Sequence, residues 1–96
     1  MISALLLIGL TLPSGDVRTL TKSAPKVVAA FIERRAYCNH FLGEEPYDAE
    51  RAAELAKALG ELRCHAIERD ERNLRRSYRK RPAILRLLDE TADALP

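Results

Sequence analysis

The chain has 96 residues, enough for one small domain, and 47% of them are hydrophobic, so it can bury a core and is not a disordered tail. Aromatic residues make up only 5%, which predicts an aliphatic core, and a formal net charge of +2 does not by itself indicate a nucleic-acid partner. Four Gly and two Cys argue against a Gly-rich phosphate-binding enzyme and against a disulfide-dense toxin. No motif identifies a reaction, so we expect no enzyme and no cofactor.

An uncharged, mostly aliphatic run occupies residues 2–12. It is shorter than the roughly 20 apolar residues that span a bilayer, so we expect no stable membrane span. Its length is typical of the core of a secretory signal, although no Lys or Arg precedes it and no Ala-x-Ala site follows it. Two interpretations stay open, an export signal cleaved near Ser14 or a short buried helix or strand that closes the core. We interpret residues 1–22 as signal peptide and linker, and 23–96 as a single helical domain.

Helical patterns begin with Ser23, a plausible N-cap, and Pro25, which suits a first helical turn. This helix is expected to run to about His40 or Phe41 and to end at Gly43 in the left-handed conformation. The apolar residues that share one face of it are Val27, Val28, Phe31 and Cys38. The charged residues expected on the remaining surface are Glu33, Arg34 and Arg35.

A turn over residues 43–48 separates this helix from the next, because Pro46 interrupts a helix and Asp48 is a good N-cap. The second helix is predicted from Ala49 to Lys80 and a third from Pro82 to Leu95. The sequence therefore predicts an all-α fold, a small three-helix domain built on an antiparallel helical hairpin and preceded by the short apolar N-terminal segment. The expected core residues are Val28, Phe31, Leu55, Leu59, Leu62, Leu74, Leu85 and Leu88.

The two cysteines, Cys38 and Cys64, are 26 positions apart. A tight hairpin would separate them by roughly 18 Å along the helix axis, whereas a disulfide needs Cα atoms within about 7 Å. A disulfide therefore needs a longer connection than a tight turn, and free buried thiols remain an alternative. Because His40 and His65 lie beside the cysteines, a zinc site is a third alternative, although the spacing is not that of common zinc fingers. Export would favour the disulfide.

A basic run from position 69 to position 81 holds seven Lys or Arg and two acids. This run could bind a charged protein partner or phosphates, or it could simply be a solvated helix end, which the helix dipole also favours. Glu44 and Glu45 begin an acidic patch near the hairpin turn, and a helical hairpin offers them little concavity for catalysis. The candidate binding-surface residues are Arg69, Arg72, Arg75, Arg76, Tyr78, Arg79 and Lys80.

Residues 64–78, CHAIERDERNLRRSY, resemble the C-terminal signature of the LprI-type lysozyme-inhibitor family of exported bacterial proteins. That signature is a helical Cys followed by D-x-x-L-N-x-x-Y. Here Leu74 and Tyr78 agree, Glu71 replaces the Asp and Arg75 replaces the Asn, while further cysteines of the family are absent. The resemblance covers 15 of 96 residues. It implies a helical, cysteine-bridged protein of the periplasm or cell surface.

These observations lead to one functional hypothesis and one alternative. The hypothesis is a small periplasmic or secreted helical binding protein without catalytic activity, and the resemblance adds inhibition of a cell-wall enzyme. The partner would then be a protein. The alternative is a cytoplasmic module that binds nucleic acid through the basic helix 69–81.

Overall fold

The computed structural model describes residues 17–96, and this part of the chain is helical with no strand. The all-α fold class is therefore confirmed, although the described residues form five α-helices where the sequence predicted three. The elements are α1 Val17–Leu20, α2 Lys26–Leu42, α3 Ala49–Glu61, a 3₁₀ turn Cys64–Ala66, α4 Ile67–Ser77 and α5 Pro82–Glu90. Both interpretations of the apolar run 2–12 concern residues outside the described range.

Helix α1 lies in a segment that the sequence assigned to a linker. Val17 is 5% exposed and belongs to the core, and Thr21 is buried one helical turn later. The Thr21 hydroxyl donates a hydrogen bond of 2.7 Å to the Val17 carbonyl, which satisfies the buried hydroxyl. The packed body of the protein therefore includes residues before position 23, from Val17 onward in the described range.

Helix α2 starts and ends differently from the prediction. Pro25 is its N-cap in place of Ser23, since Pro25 has an extended ψ of 146° and its carbonyl accepts the Ala29 N–H. At the other end Gly43 is right-handed, with φ −84°, and not left-handed as predicted. A Cβ at Gly43 would lie 3.3 Å from the Asn39 carbonyl oxygen, so close backbone packing accounts for the glycine.

The predicted helix from Ala49 to Lys80 is interrupted, although its start is correct. Asp48 caps α3 by accepting the Arg51 N–H at 2.8 Å, as expected for an N-cap. The interruption is at Arg63, which has φ 54° and ψ 48° and is the only non-glycine with positive φ among the described residues. This left-handed conformation costs an L-residue about 1 kcal/mol, so other interactions must hold it.

Arg34 of α2 supplies those interactions. Its Nε donates to the Leu62 carbonyl at 2.6 Å and its Nη2 to the Arg63 carbonyl at 3.1 Å. Nη2 also lies 2.8 Å from Asp70 Oδ2 at the start of α4. Carbonyls at a helix end lack helical partners and attract cations, so one guanidinium stabilises both sides of the break.

A disulfide joins Cys38 to Cys64 immediately after the break, with Cα atoms 5.6 Å apart. The disulfide was one of the three alternatives for these cysteines. The expectation of a tight turn between α2 and α3 was wrong. Arg34 contacts Leu62 and Cys38 contacts Cys64, so the end of α3 lies beside the middle of α2. At 1.5 Å per residue, the 13 residues of α3 are longer than the part of α2 that follows Arg34, so the start of α3 projects beyond the end of α2. Residues 43–48 connect these two ends.

The core lies between α1, α2 and α5, with α4 packed against it. Its members are Val17, Val28, Phe31, Ile32, Ala36, Ile84 and Leu88. Of the predicted core residues, Val28, Phe31, Leu55 and Leu88 are buried. The others, Leu59, Leu62, Leu74 and Leu85, are only half-buried. Leu55 lies outside the core cluster, and the main helix–helix contact of α3 is with α2.

Helix α5 begins at Pro82 as predicted but ends at Glu90 and not at Leu95. The chain then turns, and the Asn39 side-chain amide of α2 donates to the carbonyls of Ala92 and Ala94, both at 3.0 Å. These bonds draw the last residues away from the helix axis and against α2, which explains the early helix end.

Candidate binding surface

Helix α4 separates its charges between two faces. Two of its three acids turn towards α2, where Asp70 pairs with Arg34 and Glu71 pairs with Arg35, each at 2.8 Å, while Glu68 is exposed. The hydrogen bond from Arg34 lowers the pKa of Asp70 below its ordinary value. The two acids of the basic run are thus used inside the protein, and its outer side carries mostly positive charge.

The outward residues form what we call the basic face, which consists of Arg69, Arg72, Arg76, Arg79 and Lys80. All five are exposed. The first three follow at spacings of three and four, so they lie on one side of α4. Arg69 contacts Asp70 at 3.3 Å, and Arg79 donates to the Arg76 carbonyl at 3.1 Å. Arg72 and Arg76 form no ion pair with another described residue.

Arg75 and Tyr78, the two other candidates from the sequence, have different surroundings. Arg75 bonds to Glu71 at 2.9 Å and to Asp89 of α5 at 2.7 Å. These carboxylates raise the pKa of Arg75 although partial burial acts in the opposite direction. Tyr78 is half-buried and packs against the core. Both side chains therefore join α4 to the rest of the protein, in contrast to the basic face.

Arg35 was expected on the polar surface of α2, and this prediction is wrong. Its side chain is 5% exposed, and its guanidinium carbon lies 5.2 Å from the centre of the Phe31 ring. Besides Glu71, it donates to the Leu88 carbonyl at 2.8 Å and to the Thr91 hydroxyl at 2.9 Å. A signal was present, since position 35 is seven residues after Val28 and falls on the buried face of α2.

An open groove of about 380 Å³ runs between α2 and α4 beside the basic face. Apolar side chains from both helices form much of its lining, and Val27 on its rim is 56% exposed. The polar groups Arg34, Asp70 and Asn73 also line it. The lining residues are Val27, Ala30, Phe31, Arg34, Asp70, Asn73, Leu74 and Ser77. This groove and the basic face together form a continuous surface with apolar and positive parts.

The acidic patch and the histidines take no part in this surface. Glu44 bonds to Arg51, with 2.8 Å between Oε1 and Nη2, and this hydrogen bond lowers the pKa of Glu44. Both cysteine sulfurs are joined to each other, so His40 and His65 have no thiolate beside them for the zinc alternative. Among residues 17–96, no group of three or more potential metal ligands comes together.

Comparison with protein-family models, with curated proteins and with solved structures gave no match. Within the described range, no helix has the length and apolar character needed to cross a membrane. A functional proposal therefore rests on the basic face and the groove beside it.

Proposed function

We propose that this chain is a small exported helical binding protein that acts through the basic face and has no catalytic activity. The disulfide between Cys38 and Cys64 carries the proposal, since disulfides persist in the periplasm or outside the cell and are rare in the cytosol. A cleavage near Ser14 would leave α1 intact and keep Val17 in the core, so removal of a signal is compatible with the fold.

The chemistry of the basic face favours a partner protein with an acidic surface. Arg72 and Arg76 are exposed and free of ion pairs with described residues, so a partner carboxylate would not have to displace an internal one. Complementary charge speeds association and selects the partner, while the adjacent apolar groove supplies surface to bury. Charged residues that select a partner, beside apolar surface that the partner can cover, are the arrangement expected of a binding protein.

Site-specific photo-crosslinking in the native cell tests the binding surface. The full chain would carry benzoylphenylalanine in place of Arg72, or in place of Lys57 as a matched control. Lys57 is an exposed cation on α3, away from the basic face. We expect a discrete adduct from position 72 that disappears when Arg69 and Arg76 are both changed to Glu. Equal adducts from both positions, or none from position 72, would contradict the proposal.

Export has its own test. The chain isolated from the periplasm should have a mass that corresponds to cleavage near Ser14 with Val17 retained, and unfolding without reductant should expose no free thiol. A full-length cytoplasmic chain with two free thiols would overturn export.

The resemblance of residues 64–78 adds a more specific form of the proposal, inhibition of a cell-wall muramidase. The purified exported chain should slow the clearing of a peptidoglycan suspension by such an enzyme, and the Arg72→Glu, Arg76→Glu double variant should do so less. Unchanged clearing at an excess of the chain would remove inhibition and leave the binding proposal standing.

The alternative function, cytoplasmic binding of nucleic acid, is favoured by the same basic face. Binding to a generic duplex would then weaken steeply with salt, because each neutralised phosphate releases counterions. Absence of duplex binding at low salt, together with a periplasmic location, would exclude this alternative.

A further inference from the structure

The two sulfurs of the disulfide differ in their surroundings. Cys38 is 1% exposed within α2, whereas Cys64 is partly exposed at the start of the 3₁₀ turn. The neighbours of Cys64 in the chain, Arg63 and His65, are both exposed. Thiol–disulfide exchange begins when a thiolate attacks one sulfur in line, so the attacking group must reach that sulfur. Access and nearby positive charge both favour attack at Cys64.

Helix α3, which ends just before this disulfide, is held by little apolar burial. Leu55 is its only buried residue, and it lies outside the core cluster. Its other apolar side chains nearest the body, Ala58 and Leu59, are only half-buried, and Arg34 bonds to the carbonyls of Leu62 and Arg63 just beyond its end. The covalent link at Cys64 is therefore a principal restraint on α3.

We propose that Cys64 is a site of redox modification by a dithiol, and that reduction there releases α3 while the core helices stay packed. The thiolate of the dithiol attacks Cys64 Sγ and forms a mixed disulfide. The bond between the two protein sulfurs breaks, and its electron pair leaves on Cys38, which takes a proton from water. The second thiol of the dithiol then displaces Cys64, so the protein gains two thiols and the dithiol becomes a disulfide.

Release of α3 would enlarge the exposed apolar surface on the second half of α2. Tyr37 and Phe41 now share a shallow depression with Ala58 of α3 and with Leu62, which follows α3. Tyr37 is already 40% exposed, and without α3 the half-buried Phe41 would also face solvent or another protein. The core cluster contains no residue of α3, so its packing would not be lost. This inference holds whichever partner binds the basic face.

Trapping with glutathione tests the site of attack. Wild-type chain would be mixed with excess glutathione, quenched with N-ethylmaleimide and digested with trypsin, which places Cys38 in fragment 36–51 and Cys64 in fragment 64–69. Among singly glutathionylated chains, we expect glutathione on fragment 64–69 and maleimide on fragment 36–51 in large excess. An equal distribution, or the reverse, would overturn the assignment of Cys64.

Hydrogen exchange tests the release of α3. In wild-type chain reduced by a phosphine, amides of residues 53–61 should exchange faster by a factor on the order of 100, the effect expected from opening a loop of this size. Residues 30–36 and 86–90 should lose much less protection than residues 53–61. The Cys38→Ser, Cys64→Ser double variant without reductant should give the same pattern and controls for effects of the phosphine. Unchanged α3 protection, or loss in all helices together, would overturn the proposal.

Discussion

Two regions of the molecule are held together in different ways. In the body formed by α1, α2, α4 and α5, a contiguous apolar cluster is built from α1, α2 and α5, and partly buried side chains of α4 pack against it. In the α3 arm, one buried leucine outside that cluster is accompanied by a disulfide, by surface ion pairs and by the Arg34 clamp, the bonds of Arg34 to the Leu62 and Arg63 carbonyls and to Asp70. The comparison teaches that a helix joined to the shared apolar cluster is held by packing, whereas an amphipathic helix outside it depends on covalent and polar links.

The largest effect is expected from removing the buried charge of the body. Arg35→Ala would leave the Leu88 carbonyl and the Thr91 hydroxyl oxygen without the Arg35 donor and would leave only Arg75 on Glu71, so the free energy of unfolding should fall by about 3–5 kcal/mol. Chemical denaturation would measure this loss. Arg86→Ala, which alters an exposed arginine of α5, is the control and should change little. A loss below about 1 kcal/mol for Arg35→Ala would show that the network is not cooperative.

The same substitution placed in each region measures the difference directly. Leu88→Ala in the body removes a fully buried side chain and should cost about 2–5 kcal/mol. Leu59→Ala in the α3 arm removes a half-buried one and should cost about 1 kcal/mol, because less apolar surface is withdrawn from water. Equal losses in urea denaturation would mean that α3 belongs to the core.

A smaller effect of opposite sign is expected at the junction of the two regions. Arg63→Gly should raise the free energy of unfolding by about 0.5–1 kcal/mol, since glycine adopts positive φ without the penalty of a Cβ. Arg63→Ala removes the same side chain but keeps the Cβ, so it isolates the conformational effect. If the two variants have the same thermal midpoint, Arg63 is not strained.

The smallest effect is the dependence of the Arg34 clamp on pH. The pKa of Asp70 lies below its ordinary value of 3.8 in the folded chain, so its carboxylate stabilises the fold above that value. This stability is lost as the pH falls through the lowered folded pKa. Between about pH 5 and pH 2, wild-type stability should therefore fall more than that of Asp70→Asn. Asp93→Asn, an exposed control, should follow the wild type, and parallel curves for all three would contradict the clamp.

Much of the body could be predicted from the sequence, because helix periodicity and capping are local. Asp48 and Pro82 mark the starts of α3 and α5 as expected, and Leu74, an expected core residue, packs partly buried against the core. The break at Arg63 could not be predicted from local preferences, since the weakest helix former beside it, Gly60, lies inside α3, and the residue that stabilises the break, Arg34, is 29 positions earlier. Likewise, the sequence does not show which acids of α4 turn inward. It therefore could not distinguish Arg75, which is paired with carboxylates of the protein, from Arg72, which is exposed and forms no ion pair with another described residue.

The left-handed residue also affects how the sequence can change in length. In a continuous helix, one inserted residue would rotate every later side chain by about 100° and turn the basic face towards the core. Here α4 starts afresh at Ile67, and its rotation is fixed by bonds to Arg34 and Arg35 and by the disulfide. Insertions or deletions in the first turns of α3 should therefore leave the basic face directed towards solvent, so α3 can vary in length while α4 keeps its orientation.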